Sequence, residues 1–205
     1  MISFNEAFRE VMGNTQEWGV ETVPLLESIG RVLAEPVLAD RDFPPFDRST
    51  RDGIAIHSMA LGKGIATFPI DGIQSAGMPP QQLGAMDHCL EIMTGAVVPQ
   101  NADTVIMYEQ TEIKNGLAHV KENPKKGQNI HQKGSDHRKG EVVLTPGRRI
   151  SPAEIGVLAT VGKSRILVKK RPKVAVISTG DELVGVDEVP LPHEIRKSNV
   201  ISLAA

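Results

Sequence analysis

The chain has 205 residues, 40% of them apolar, and a formal charge of −2 from 23 basic and 25 acidic side chains. That apolar content can bury an ordinary core in one large domain or two small ones. The near-balanced charge gives no field to draw the chain onto nucleic acid or an anionic membrane, and five Phe, Trp18 and Tyr108 are too few for a base-stacking surface. The sole cysteine, Cys89, excludes an internal disulfide and a Cys-rich zinc site and suits a reducing compartment. The opening residues Met1 to Glu6 have neither a basic n-region nor an apolar h-region. No run approaches the roughly 20 apolar residues that span a bilayer, so a soluble, cytoplasmic protein is expected.

In chain order, Ser3 can cap a first helix whose apolar positions Phe4, Ala7, Phe8, Val11 and Met12 share one face, ending near Gly13. A second short helix is expected over Leu25 to Leu33. Pro36, Pro44 and Pro45 then keep the backbone extended through Asp40 and Asp42, as at a hinge or domain boundary. From residue 50 to about 130 the signals are those of β structure: Ile65 to Ile70, Cys89 to Met93 and Thr104 to Tyr108, with Gly, Pro, Asn and Asp in the turns. Asn115-Gly116, between Thr111-Glu112-Ile113 and Leu117 to Val120, is a hairpin signal. A helix opens at Ser151-Pro152-Ala153-Glu154, with a capping serine, a proline at the first helical position and a glutamate three residues after the cap; Ile155, Leu158 and Ala159 supply its buried face. After the basic run 169 to 173, Val174 to Ile177 reads as a buried strand of a parallel α/β sheet, whose carboxyl end is where such sheets bind ligands. Ser198 to Ala205 opens a helix with nothing after it to cap it, and the chain is expected to stop inside a domain.

Four places set polar residues beside glycine: Asp52-Gly53, Thr94-Gly95, Gly134-Ser135-Asp136, and Ser178-Thr179-Gly180-Asp181-Glu182. Two readings stand for each. Carboxylates and threonines in Gly turns shape turns and cap helices. Taken together they also suit one site, in which Asp52, Asp136, Asp181 and Glu182 hold a Mg²⁺ ion through one or two carboxylates while substrate phosphate completes the shell. Thr94 and the backbone N–H groups around Gly95 and Gly180 would cradle an anion. The histidines match no common zinc spacing and are expected at the surface, and Cys89 reads as a buried, inert thiol. No Ser-His-Asp signature, Walker loop or G-x-G-x-x-G is present.

The segments GRVLAEPVLADRDFPPFDRSTRDGIAI (30 to 56), IMTGAVVPQNADTVIMYE (92 to 109), NIHQKGSDHRKGEVV (129 to 143) and KVAVISTGDELV (173 to 184), in this order, resemble the molybdopterin molybdenumtransferase family, the MoeA-type enzymes and the matching domain of gephyrin. The resemblance runs from about residue 20 to the end of the chain. It implies an elongated, multidomain homodimer that inserts molybdate into adenylylated molybdopterin with loss of AMP, using a divalent cation. The pterin substrate would come from a molybdopterin adenylyltransferase acting upstream. Carried over by motif, functional positions fall on Asp52, Thr94, Asp136 and Glu182, with Asp181 beside the last. Asp52, Asp181 and Glu182 would serve the metal, and Gly53, Gly95, Ser178, Thr179 and Gly180 the bound substrate.

The expected fold class is α+β: a helical or extended dimerisation domain (1–48 with 130–170), an inserted mostly β domain (49–129), and the first strand and helix of a parallel α/β substrate domain (171–205). The sequence departs from the family in three respects. Arg51 stands in place of the usual methionine, where it can pair with Asp47 or Asp52, and Ile54 in place of an aromatic. His131-Gln132-Lys133 stands where the family often has several arginines, which weakens a phosphate-binding surface. Members also continue beyond the first strand and helix of the α/β domain. A lone strand with one helix cannot close a parallel sheet and leaves apolar surface exposed, so little catalysis is expected of this chain by itself. The competing reading is a non-catalytic dimerisation scaffold, or a module that binds the pterin or nucleotide without turnover.

Overall fold

A computed structural model describes residues 2–122 and 124–205. The chain divides into two compact units: Thr22–Val168, and the two terminal segments Met1–Glu21 and Lys169–Ala205. In chain order the elements are α1 (Phe4–Gly13), β1 (Val20–Pro24), β2 (Val37–Leu38), β3 (Arg48–Ser49), β4 (Gly53–Ile56), α2 (Ser58–Gly62), β5 (Thr67–Gln74), β6 (Cys89–Ile92), β7 (Thr104–Met107), β8 (Thr111–Lys114) and β9 (Leu117–Val120). They continue with β10 (Ile130–His131), β11 (Val142–Leu144), α3 (Pro152–Thr160), β12 (Arg165–Lys169), β13 (Leu183–Val184), β14 (Ile195–Arg196) and α4 (Ser198–Ala204).

The central feature of 22–168 is a six-stranded sheet in the order β7-β4-β6-β5-β9-β8. All its pairings are antiparallel except β5 with β6. β4 runs inside this sheet, with Gly53 opposite Ile92 on β6 and Met107 on β7. All four of its residues are buried because both of its faces are covered. Ile54 and Ile56 join Phe68, Cys89 and Ile106 in one cluster, and Ala55 joins Ile92, Ala96 and Val105 in another. That two-sided burial is why the run Gly-Ile-Ala-Ile shows no alternation. The Asn115-Gly116 turn joins β8 to β9 with φ of 54° and 74°, the pair of positive angles that a tight two-residue hairpin requires.

Outside the sheet, this unit packs Leu33, Val37, Ile150, Leu158, Ile166 and Val168 into a separate core. α3 covers it, opened by Ser151, whose hydroxyl accepts from Ala153 N, while Glu154 accepts from Ser151 N at 2.9 Å. Leu158 is fully buried and Ile155 packs against it, but Ala159 is exposed. The expected helix over 25–33 is only one 3₁₀ turn, Leu25–Ser28. Gly30 at φ 74° diverts the chain, and Leu33 N donates to Arg148 O while Ala34 N donates to Leu167 O, so extended pairing replaces helical bonds. This region is therefore more extended than helical: β2 pairs with β11 and β1 with β12.

In the terminal segments, α1 forms with the capping box of Ser3 and Glu6, but its apolar face is not covered; Phe4 is 81% and Val11 68% exposed. The expected strand over Val174 to Ile177 does not form. The stretch is extended without a ladder partner, with Val174 76% and Ile177 81% exposed. A parallel strand is stable only between neighbours, and none stands beside this one. The parallel pair present is β13 with β14, followed by α4. Among the described residues of these segments no side chain is buried.

Candidate functional site

Asp52 ends the loop that enters β4. Its backbone O accepts from Tyr108 N at 3.3 Å, which fixes the loop to the far end of β7. Gly53 follows for a steric reason: a Cβ there would stand 1.8 Å from Ile106 O and 2.7 Å from Ile106 C. No other residue lets β7 lie this close to β4. Across the β4–β6 pair, the turn after β6 brings Thr94 to Asp52. Thr94 N and Oγ1 donate to Asp52 Oδ1 at 2.6 and 2.8 Å. These two bonds, the backbone one foremost, hold the Asp52 carboxyl below the usual carboxylate range. Oδ2 makes no hydrogen bond among the described residues.

Asp52 and Thr94 line a hollow of about 430 Å³ with Arg51, Met107, Tyr108 and Glu109. Arg51 makes no ion pair among the described residues, so its expected pairing with Asp47 or Asp52 is not present; Asp47 Oδ1 accepts instead from Lys133 N at 2.7 Å. Tyr108 Oη donates to Glu91 Oε2 at 2.6 Å. Burial and this bond push the phenol up. Sequence reasoning missed both residues. The available signal was an acidic side chain, Glu91, inside the apolar run 89 to 93, and the chain's sole tyrosine at the end of another. Cys89 is buried, and desolvation pushes its thiol up to about 12, so it is no nucleophile.

The anion cradle expected around Gly95 is not available. Thr94 N is engaged by Asp52, Gly95 N donates to Ser49 O at 2.8 Å and Ala96 N to Met93 O at 3.0 Å. Gly95, at φ 83°, serves the turn itself, and Gly53 serves strand packing. Asp136 does not line the Asp52 hollow. It lines another of about 470 Å³, with Phe43, His137, Val143 and one face of α3. In the other unit, Ser178, Thr179 and Glu182 line a hollow of about 250 Å³ with Arg196 and Lys197. The Glu182 carboxylate lies against Gly180, with Oε2 2.5 Å from where a Cβ would stand. Asp181 does not line that hollow. Among the described residues no group of three or more His, Cys, Asp or Glu could hold a metal ion. A Mg²⁺ ion fits only in the sparser sense that one or two carboxylates suffice when a substrate supplies the remaining oxygens. No helix among the described residues is long and apolar enough to cross a membrane.

Residues 2–162 match the family model described as MoeA N-terminal region (domain I and II). The chain is 37% identical over 206 residues to the molybdopterin molybdenumtransferase of a Synechocystis strain, covering 99% of this chain and 53% of that protein. It is also 37% identical over 202 residues to the enzyme of the same name from Staphylococcus aureus, covering 97% and 48%. Two crystal structures of a molybdopterin biosynthesis MoeA protein from Pyrococcus horikoshii are similar, with TM-scores of 0.81 and 0.90 at 31% identity. Each covers 99% of this chain, which spans 53% and 55% of theirs. The chain thus spans about half the length of the relatives it matches. On these matches, the chain belongs to the MoeA N-terminal-region family.

Proposed function

We propose that this chain acts in molybdenum cofactor biosynthesis, contributing the Asp52–Thr94 hollow to an enzyme that inserts molybdate into adenylylated molybdopterin with release of AMP. The observation that carries this reading is the Asp52–Thr94 couple, a carboxylate held ionised by two donors and lining an open hollow on a chain of this family. Asp52 offers its free oxygen to a cation or a substrate donor, and Thr94 fixes where that oxygen points. Ser178, Thr179, Arg196 and Lys197 supply hydroxyls and positive charge of the kind that holds phosphate. Asp52, and separately Glu182 with Asp181 beside it, offer carboxylates of the kind that hold Mg²⁺ while a substrate supplies the remaining oxygens. Bound there, the ion would polarise a phosphoryl oxygen for attack.

The same proposal includes a homodimer, supported by the uncovered apolar face of α1, and an upstream reaction that adenylylates the pterin. It also includes little turnover by these 205 residues alone, because the terminal segments bury no side chain. That last observation favours a second reading, a dimerisation or docking platform without catalysis. Asp52→Asn and Glu182→Gln in the full native-length protein should abolish molybdenum insertion while circular dichroism shows the fold kept. Unchanged turnover in both variants would remove the catalytic reading and leave the platform.

A further inference from the structure

His131 lies on β10, between a cation and a carboxylate. β10 pairs antiparallel with β3, which sets His131 opposite Arg48. Arg48 Nη2 lies 3.2 Å from His131 Nδ1, and Asp136 Oδ1 lies 2.9 Å from His131 Nε2. A guanidinium has donors only and is always charged. Nδ1 is therefore the lone-pair nitrogen, and in the neutral ring the proton resides on Nε2, where the carboxylate accepts it. The donors run in one direction, from Arg48 to His131 to Asp136.

The charged neighbours have other partners. Lys133 Nζ lies 3.6 Å from Asp42, and His137 lies 3.5 Å from Glu141. Asp136 is fixed at its backbone as well, its N donating to Phe43 O at 2.9 Å. With Oδ1 bound to His131, Oδ2 makes no hydrogen bond among the described residues, and the residue lines the hollow beside α3.

We propose that His131 is the positioning residue for Asp136, held in its Nε2–H tautomer by Arg48 and keeping one Asp136 oxygen available to a cationic or hydrogen-bond-donating part of the substrate. This rests on the reading of Asp136 as a functional position of the proposed enzyme. A donor relay through a ring of fixed tautomer orients a carboxylate without placing positive charge on the ring itself.

Nitrogen-15 spectra of the imidazoles in the 205-residue chain, recorded near pH 8, above the ordinary histidine value of about 6.5, read the tautomer directly. His131 should show a lone-pair Nδ1 and a protonated Nε2. A protonated Nδ1 in the unmodified chain overturns the proposal. In the molybdenum-insertion assay with the full native-length protein, His131→Leu should lower turnover by about tenfold or more, the scale on which groups that orient a ligand act. His131→Gln, whose amide N–H reaches the Nε2 position, should restore most of it. Loss in Asp136→Asn with normal turnover in His131→Leu overturns the positioning role alone. Normal turnover in Asp136→Asn overturns the functional reading of Asp136 itself.

Discussion

Gly53→Ala tests how the fold places Asp52. The added Cβ would meet Ile106 O at 1.8 Å, Ile106 C at 2.7 Å and Met107 Cα at 2.9 Å, all backbone atoms. Non-bonded carbon and oxygen approach to about 3.3 Å, so β7 would have to retreat by about 1.5 Å. A hydrogen-bonded ladder does not stretch that far, and β7, at the sheet's end, would part from β4 over the four residues it pairs with. Overpacking costs about 1–3 kcal/mol when side chains give way, and here only backbone can, so about 3 kcal/mol is expected. At about 2–4 °C per kcal/mol for a chain of this size, the melting midpoint followed by circular dichroism should fall by about 6–12 °C. Gly95→Ala is the control. It carries a positive φ of 83° but has no atom within 4 Å of its would-be Cβ, so it should lose only the left-handed strain of about 1 kcal/mol. Equal losses in the two variants, or a Gly53→Ala loss under about 1 kcal/mol, would refute the close-approach reasoning.

Two further outcomes follow from the same neighbourhood and from α3. Glu91→Gln should lower the titration midpoint of Tyr108, followed by phenolate absorbance with no other tyrosine to confuse it, yet leave it above the ordinary value of about 10, because burial is the larger cause and remains. An unchanged midpoint would show that the Glu91 bond does not act on the phenol. Glu154 is held down to about 2 by Ser151, through side chain and backbone, and by Arg148 at 2.7 Å. Its folded value lies below its unfolded one, so its contribution is complete above pH 4.5 and is lost as the pH falls towards about 2. Urea midpoints should therefore show Glu154→Gln less stable than the unmodified chain near neutrality, with the gap closing in acid; a gap that ignores pH would refute the assignment.

Local rules made several elements legible in the sequence. The Ser3 cap, the Ser151 capping box and the Asn115-Gly116 turn depend on residues three or fewer apart, and each formed as expected. Where partners lie far along the chain, local pattern misled. Leu25 to Leu33 has helical spacing, but Arg148 O and Leu167 O, more than a hundred residues away, take the bonds a helix would have used. Val174 to Ile177 has the composition of a buried strand, yet burial needs neighbouring strands that composition cannot supply. At the site, residue type pointed to Asp52 and Thr94, and the structure joins them. The amides of Thr94, Gly95 and Ala96 were invisible to that reasoning, since only the folded turn shows that all three already have acceptors. Tyr108 and Glu91 were overlooked because they lie inside apolar runs that read as strand.

The Asp-Gly at 52–53 admitted a turn reading and a site reading, and the geometry makes them two halves of one arrangement. Oδ1 ties the turn at Thr94 to the loop before β4, which is the structural use. The same two donors lower the carboxyl's affinity for a proton, so the oxygen left over stays ionised and open to the hollow. Gly53 is required by the close approach of β7, which brings Tyr108 N to Asp52 O and so closes one wall of that hollow. A residue placed by strand packing and a carboxylate anchored by one oxygen cannot adjust without moving the sheet. That rigidity is what a group needs if it is to hold a cation or a hydrogen-bond donor at a fixed point.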